Sequence, residues 1–215
     1  MAKVERVSDA AFLVVFDEAP TEEAGRRVRR LHASLRDAAP AALVDLHPAY
    51  ATVLVRFDPL RIDAARLAGE LARRAERTAS NSEEPIRVVE IPVRYGGDSG
   101  PDLDEVARLT GLSSDEVVAT HAGAAYEVRF LGFSPGFPYL AGLPERLWTR
   151  RLSAPRRRVA AGSVAIAGAQ AGIYPIATPG GWNVIGRTDA VLFDAARPRP
   201  ATLAPGDRVR FVPVR

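Results

Sequence analysis

The first 91 residues alternate between two hydrophobic periods. Residues 11–16 (AFLVVF) form a short apolar run, which is typical of a strand. After it, apolar positions from Ala24 to Leu35 recur every three or four residues, which predicts a helix with one buried face. Thr21 stands where that helix needs an N-cap, and two glutamates follow it in the first turn.

The rest of this half repeats the pattern. Residues 42–46 and 52–57 predict two more strands, Asp63 caps a second amphipathic helix, and residues 86–91 (IRVVEI) predict a fourth strand. The resulting order is β-α-β-β-α-β, which predicts a ferredoxin-like α/β sandwich over residues 1–91. The polar stretch at residues 80–85 (SNSEEP) is a candidate linker, although the pattern places it before the last strand.

From Pro92 onward the pattern changes to short strands. Residues 102–109 predict one helix, and Ser113 with Glu116 forms a capping box for another. Nine of the 17 glycines then fall between Gly132 and Gly186, among short apolar stretches. Such spacing predicts a β-barrel or sandwich over residues 92–215, and therefore an α+β chain of two domains. The strands predicted there cover residues 126–131, 163–167, 182–185, 191–193 and 208–212.

Composition excludes several kinds of chemistry. Lys3 is the single lysine among 29 basic residues, and we expect it in a frayed terminus, so a P-loop, kinase or Schiff-base lysine is excluded. The chain has no cysteine, which excludes disulfides and thiolate nucleophiles. The apolar run at residues 11–16 is too short for a signal peptide or a membrane span, so we expect a cytoplasmic protein.

The three histidines do not form a metal-binding pattern. His32 and His47 are expected at the surface, and no spacing among the three resembles a ligand pair, so no metal site is predicted. His121 is the one histidine in the second half. It is either a general acid or base, or a histidine that interacts with the dipole at a helix C-terminus.

The stretch GFSPG at residues 132–136 matches the nucleophile motif G-x-S-x-G of serine hydrolases. That motif needs the backbone N–H of the residue after the serine as an oxyanion donor, and Pro135 has none. No histidine follows Ser134 in the chain, and the next residues do not begin a helix. Ser134 is therefore not an esterase-type nucleophile. The segment is either a structural turn that plugs the end of a barrel or the wall of a ligand pocket.

Four long segments of the second half resemble one bacterial family. They are FLGFSPGFPYLAGLPERL, RLSAPRRRVAAGSVAIAG, GIYPIATPGGWNVIGRT and LAPGDRVRFVPV. They are similar to the B subunit of ATP-dependent 5-oxoprolinase, a family also described as the first subunit of allophanate hydrolase. The likeness extends over residues 92–214 and is looser before them. The family also includes an inhibitor of a sporulation histidine kinase.

The resemblance implies a cyclophilin-like β-barrel for the second half. It also implies two partners, a homologous C subunit and a lactamase-like A subunit. Together the three would convert 5-oxo-L-proline to L-glutamate with hydrolysis of ATP. Phosphoryl transfer to a lactam oxygen usually needs Mg²⁺ and a cationic clamp, and this chain has no recognisable nucleotide loop, so ATP is expected at a shared or partner site.

Three classes of function follow as alternatives. The first is the enzyme subunit, acting on 5-oxoproline or on another amide such as urea or allophanate. The second is a regulatory protein that inhibits a histidine kinase. The third is a prolyl isomerase, which rests on the barrel fold alone. The arginine-rich, lysine-poor composition suggests a GC-rich source and favours the enzyme over the sporulation regulator.

The glycine- and proline-rich loops define the candidate pocket. Arg187 is a candidate partner for a substrate carboxylate, or else forms an ion pair with Asp189 or Asp194. The leading interpretation of the basic region around residues 156–158 is a solvated loop, and the second is a contact with a partner or a phosphate. Nucleic-acid binding is disfavoured because the net charge is only +3. The candidate residues are His121 and Arg187 as catalytic groups, and for substrate binding Phe133, Pro135, Gly136, Phe137, Gln170, Tyr174, Pro179, Gly180, Gly181 and Trp182.

Overall fold

The computed structural model describes residues 2–19, 21–78 and 87–214. The chain forms two compact units, Met1–Pro85 and Ile86–Arg215. The predicted linker at residues 80–85 lies outside the described residues. None of the described helices is both long enough and apolar enough to cross a bilayer.

The N-terminal unit is a four-stranded antiparallel sheet with two helices. Its sheet has the order β1-β2-β4-β3, and the two helices follow β2 and β4 in the chain. The elements are β1 (Lys3–Ser8), β2 (Ala11–Val15), α1 (Glu22–Asp37), β3 (Leu43–Pro48), β4 (Thr52–Phe57) and α2 (Ala64–Arg77).

Local sequence explains both helices. The Thr21 hydroxyl accepts a hydrogen bond from the N–H of Ala24, and the Asp63 carboxylate accepts one from the N–H of Arg66, so both predicted N-caps are confirmed. The apolar faces of the helices pack against alternate residues of β2 and β4, and the rings of Phe12 and Phe57 stack at 5.2 Å between centroids. This packing forms a core separate from that of the second unit.

The ferredoxin-like β-α-β-β-α-β order is not confirmed. The N-terminal sheet takes its outer strand from residues 3–8, where the sequence predicts a frayed terminus, and Lys3 pairs with Glu5 on it at 2.6 Å. The strand predicted at residues 86–91 is instead part of β5 (Val88–Tyr95) in the second unit, and Ile86 lies outside the described residues. The boundary predicted after Ile91 therefore falls inside β5.

Pro92 explains why the sequence pattern ends β5 too early. A proline has no N–H to donate and is normally confined to strand edges. At Pro92, however, β5 is paired only with β13, because β12 joins β5 at Arg94 and Tyr95. The side of β5 that faces away from β13 needs no donor at this position, so the strand continues through the proline.

The second unit is a closed seven-stranded barrel, as the sequence predicts. Its strands follow the order β10-β7-β6-β13-β5-β12-β9, and β5 and β13 are parallel. A two-stranded ribbon, β8 with β11, lies outside the barrel strands. The further elements are α3 (Leu103–Thr110), α4 (Ser114–Ala122), β6 (Tyr126–Leu131), β7 (Pro138–Ala141), β8 (Arg156–Val159), β9 (Ser163–Ala167), β10 (Gln170–Ile173), β11 (Thr178–Gly180), β12 (Asn183–Arg187) and β13 (Arg208–Pro213).

Two local predictions in this unit are wrong. Residues 191–193 do not form a strand, and only Phe193 makes an isolated bridge, to Ala201. Residues 156–158 belong to β8 rather than to a loop, because β11 pairs with this segment. The capping box of Ser113 and Glu116 is confirmed at the start of α4.

The barrel wall is buried on both faces along β9. Val164 and Ile166 belong to the core inside the barrel, whereas Ala165 and Ala167 pack into a second cluster on the other side of the strand. The neighbouring strand β12 divides in the same way, with Ile185 inside and Val184 in the outer cluster. The outer cluster contains the glycine- and proline-rich loops, so these loops cover the outside of the wall and do not plug the end of the barrel.

We expect Phe57→Ala to lower the free energy of unfolding of the N-terminal unit by about 3–5 kcal/mol, because it leaves a cavity beneath α1 and α2 in a fully packed core. Urea unfolding followed by circular dichroism measures this change. Leu60→Ala is the control, since Leu60 is 94% exposed, and it should change stability by less than about 0.5 kcal/mol. Equal effects of the two substitutions would contradict the described core.

Candidate functional site

Five aromatic residues form a cluster on the outer wall of the barrel. Phe137 is its centre, and its ring lies 5.2 Å from that of Tyr174 and 5.6 Å from that of Trp182, both edge to face. Phe133 and Tyr139 extend the cluster from the same central ring, at 5.5 and 5.1 Å. Edge-to-face contacts of this kind stabilise beyond the area that they bury. We call Phe133, Phe137, Tyr139, Tyr174 and Trp182 the aromatic cluster.

The loop at residues 132–137 is fixed by its own hydrogen bonds. The N–H of Ser134 donates to the carbonyl of Gly132 at 2.8 Å, which closes a γ-turn centred on Phe133. The N–H of Phe137 donates to the carbonyl of Ser134 at 3.0 Å, which closes a β-turn through Pro135 and Gly136. Gly136 has φ +78°, the left-handed value that the third position of a type II turn requires.

Gly180 allows the closest approach in the cluster. A Cβ atom at this position would lie 2.3 Å from the hydroxyl oxygen of Tyr174, well inside contact distance. Tyr174 is 2% exposed, and burial raises the pKa of its phenol. The glycine is therefore required for the tyrosine to lie beneath the ribbon. Gly181 beside it has no such constraint, because its Cβ would be 3.6 Å from the nearest atom.

Two arginines lie at this cluster. The guanidinium of Arg151 lies 5.8 Å from the ring centroid of Trp182, within cation–π range. Arg156 on β8 donates to the Asp102 carboxylate at 2.5 Å. The other oxygen of Asp102 accepts the N–H of Val184 at 2.7 Å, so this buried carboxylate joins α3, β8 and β12. Arg151 is exposed and makes no ion pair with any residue in the described ranges.

The structure places His121 away from the aromatic cluster. It is fully buried in the barrel core, between the rings of Tyr95, Tyr126 and Phe211. Its Nδ1 is 2.8 Å from the hydroxyl of Tyr95, and its Nε2 is buried without a partner among the described residues. Burial lowers the pKa of His121 to about 3, so the imidazole is neutral at pH 7.

Neither role considered for His121 fits this position. A substrate does not reach a fully buried ring, so the structure does not support a general acid or base there. A favourable interaction with the helix dipole needs the charged form, which burial disfavours. His121 is a structural group that makes one hydrogen bond within an aromatic core.

Arg187 also lies apart from the aromatic contacts. It is exposed at the end of β12, opposite Arg94 on β5. Neither ion pair considered for it forms, because Asp189 binds Arg94 and Asp194 binds Arg197. No described contact joins Arg187 to the aromatic cluster, and it remains a candidate only as an exposed cation.

The remaining candidates divide between the cluster and its edges. The structure brings together five of the candidate substrate-binding residues, namely Phe133, Phe137, Tyr174, Gly180 and Trp182. Gln170 is half-buried at the start of β10, Pro135 is exposed on its turn, and Pro179 is exposed in the middle of β11. The sequence places Arg151 only in a general basic region, because a stacking contact with a distant tryptophan leaves no mark in local spacing.

A separate open cavity lies in the N-terminal unit. Its volume is about 390 Å³, and it is lined by the C-terminal half of α1 and by β3, including His32, Arg36 and Leu43. Burial lowers the pKa of His32. This cavity contains none of the predicted site residues. Within the described ranges, no group of three or more histidine, aspartate or glutamate side chains is arranged to hold a metal ion.

The aromatic cluster with Arg151 provides a defined kind of surface. Apolar ring faces contact a flat, uncharged part of a ligand, and a guanidinium at their edge binds a carboxylate in a planar, bidentate way. Such a surface is suited to bind and orient a small ligand.

Comparisons with known proteins agree on one family. Residues 2–203 match the family model described as carboxyltransferase domain, subdomain C and D. The chain is 55% identical over 150 residues to a protein named as the B subunit of 5-oxoprolinase from Escherichia coli O157:H7, covering 68% of this chain and 69% of that protein. It is 37% identical over 220 residues to the protein of the same name from Bacillus subtilis strain 168, covering 98% and 92%.

A solved structure shows the same architecture over the full chain. The crystal structure of TTHA0988 superposes on it with a TM-score of 0.85 and 42% sequence identity, and the match covers 100% of this chain. The chain spans only 40% of the length of TTHA0988.

We expect Gly180→Ala to destabilise the barrel unit by about 1–3 kcal/mol, since the new methyl group overlaps Tyr174. Gly181→Ala is the matched control and should change stability by less than about 1 kcal/mol. Adding Tyr174→Phe to Gly180→Ala removes the clashing hydroxyl and should recover part of the loss. Urea unfolding of the four proteins measures this, and a double variant no more stable than Gly180→Ala would count against the described contact.

We expect His121 to make the protein less stable as the pH falls. Because its pKa is about 3 when folded and near 6.5 when unfolded, the unfolded state binds a proton that the folded state excludes between these values. Stability from this group is full above pH 6.5, and roughly 3 kcal/mol of it is lost by pH 4. His121→Phe should show a shallower fall in unfolding free energy between pH 7 and pH 4. Equal slopes for the two proteins would show that the imidazole protonates readily in the fold.

Proposed function

The chain belongs to the carboxyltransferase-domain family of subdomains C and D, with the proteins named as the B subunit of 5-oxoprolinase, and we propose that it is a subunit of an ATP-dependent 5-oxoprolinase complex. The reaction proposed is the hydrolysis of 5-oxo-L-proline to L-glutamate. The observation that carries the proposal is the similarity to the Bacillus subtilis protein over nearly the whole of both chains. The local geometry supports it through the chemistry of the substrate.

The substrate has two parts that match the described surface. 5-Oxoproline is a small five-membered lactam ring that carries a carboxylate. We propose that the lactam ring packs against Tyr139 and Trp182, the part of the aromatic cluster beside Arg151, and that Arg151 binds the carboxylate. The guanidinium of Arg151 lies over the Trp182 ring, an arrangement that leaves its N–H donors available for a bidentate contact. Arg151 thereby takes the role that the sequence suggested for Arg187.

The residues at this surface do not fit a complete site for ATP with Mg²⁺. Asp102, the buried carboxylate that contacts Arg156 and β12, already uses both oxygens. When bound, ATP would activate the lactam carbonyl by phosphorylation of its oxygen. We propose that the groups that hold ATP belong to the other subunits, and that this chain binds and orients the lactam and excludes water from its ring face.

The test is reconstitution. We expect ATP hydrolysis that depends on 5-oxoproline, with release of glutamate, when the chain is combined with the A and C subunits. Omission of any one subunit should remove it. A stable three-subunit complex without such turnover would reject the proposal. Inhibition of histidine-kinase autophosphorylation by the chain alone would instead favour the regulatory alternative.

We expect Arg151→Ala to raise the KM for 5-oxoproline about 10- to 150-fold in that assay, the range for loss of a hydrogen-bonded charge. The KM of Arg151→Lys should lie between those of the original protein and Arg151→Ala, because lysine keeps the charge but lacks the planar guanidinium. Arg146→Ala is the control, since Arg146 is exposed on a different turn and should leave the kinetics unchanged. A KM for Arg151→Ala within twofold of the original would exclude the proposed carboxylate contact.

A further inference from the structure

Phe133 has an unusual backbone conformation for its residue type. It has φ +67°, and no other residue except glycine has a positive φ within the described ranges. A γ-turn of this hand is rare and strained, and the left-handed region is energetically unfavourable for a bulky residue. Glycine would avoid that cost. The side chain at this position therefore needs an explanation beyond the folding of the loop.

Burial of the Phe133 side chain does not compensate for this unfavourable backbone conformation. Phe133 is 62% exposed, whereas its neighbour in the cluster, Phe137, is 1% exposed. The Phe133 ring contacts the cluster in an edge-to-face arrangement, with its centroid 5.5 Å from that of Phe137 and 6.3 Å from that of Tyr174. An exposed phenylalanine contributes little hydrophobic stabilisation, so the strain is not offset in the free chain.

Hydrogen bonds and a proline nevertheless fix the backbone of the loop that carries the ring. Three hydrogen bonds close the loop on itself, and Pro135 fixes one of its backbone angles. Behind the loop, a Cβ on Gly136 would lie 2.7 Å from Phe193, so the turn is packed tightly against the chain. A ring that is rigid, exposed and apolar loses little conformational entropy when a surface closes over it.

Further exposed apolar residues lie on chain segments that lead to or from the cluster. Ile176, two residues beyond Tyr174, is 41% exposed, and Pro135 is exposed on the same turn as Phe133. Val191, which precedes the segment that packs on Gly136, is 54% exposed. Exposed apolar residues grouped on adjacent turns are typical of binding surfaces rather than of free surface.

The exposed charged side chains on β8 and beside Arg151 are arginines, whereas the carboxylate described at the cluster, Asp102, is buried and bound to Arg156. Arg157 and Arg158 are exposed on β8, the strand whose Val159 packs into the aromatic cluster. Arg150 is exposed beside Arg151. None of Arg150, Arg157 and Arg158 makes an ion pair with a residue that the structure describes. A partner for this surface would complement it with carboxylates.

We propose that Phe133 is the anchor through which this chain binds another protein subunit, one with an apolar recess for the ring and acidic side chains around it. The inference rests on the proposed function, which requires a complex of several subunits. A protein occupant fits better than a small molecule, because small-molecule sites are concave and enclose their ligand, whereas this ring stands more than half in solvent. Binding energy at protein interfaces is concentrated in such rigid aromatic residues.

The experiment measures association and stability on the same variants. Phe133→Ala should weaken binding to the C or A subunit about 30- to 1000-fold, mainly through faster dissociation, by surface plasmon resonance. Phe133→Gly should weaken binding as much, yet leave the thermal midpoint of the isolated chain unchanged or raised, because it relieves the strain at φ +67°. Leu109→Ala is the matched control, since Leu109 is 52% exposed on α3, and it should change neither quantity.

The arginines give an independent test of the same surface. Arg157→Glu with Arg158→Glu should slow association and reduce its dependence on salt, with a smaller effect on dissociation. Binding that is equally fast and equally salt-dependent in this variant would contradict the acidic rim.

The outcomes separate this inference from the proposed function. If the original complex forms and turns over 5-oxoproline while Phe133→Ala binds within twofold of it, the anchor is refuted and the proposed function stands. If Phe133→Ala binds normally but loses turnover at saturating partner, the ring contacts substrate and the docking role is refuted. If the original chain binds neither of the other two subunits, both proposals are refuted together.

Discussion

The structure depends on a barrel wall that is buried on both faces. In β9, Val164 and Ile166 face the interior while Ala165 and Ala167 face the aromatic cluster, and no residue of the strand is open to solvent. The small alanines leave room for large rings on the outside, and these rings in turn remove the outer face of the wall from water. Gly172 of β10 serves the same purpose, because a Cβ there would lie 2.7 Å from the ring of Phe137. The loops that carry the candidate site are thus part of the packing that holds the barrel together.

Within the aromatic cluster, buried residues that support the structure lie next to exposed residues that are available for binding. Phe137, Tyr174 and Trp182 are buried and pack against one another. Phe133 contacts Tyr174, Arg151 lies over Trp182, and both Phe133 and Arg151 are exposed. Asp102 strengthens the support, since it ties the ribbon strand β8 to α3 and β12 through two charged hydrogen bonds. The fixed backbone of the Phe133 loop reduces the cost of ordering when a ligand or a protein binds there. His121, in contrast, is not available for binding, because burial in the barrel core keeps its imidazole neutral and inaccessible.

Local patterns predict the helices and most barrel strands, because caps and periodic apolar faces are determined by near neighbours. Thr21, Asp63 and Ser113 are caps where the sequence indicates them. Local patterns do not show which sheet a strand joins, and so they assign residues 88–91 to the wrong unit: the partner strand β13 lies about 120 residues further along the chain. The glycine- and proline-rich loops are recognisable as a group, but the stacking of Arg151 on Trp182 and the backbone angle of Phe133 depend on tertiary contacts.

The outer strand β3 of the N-terminal sheet is built from residues that pair poorly with a further strand. The side chain of Asp45 accepts the N–H of Leu46 at 2.8 Å, and Pro48 has no N–H to offer. Along this edge the N–H of Leu46 is already bonded and Pro48 lacks one, so neither is available to pair with a further strand. The Asp45 carboxylate also places a negative charge at the edge. These features of β3 disfavour the pairing of a further strand along this edge, which is the contact by which sheets of separate molecules join.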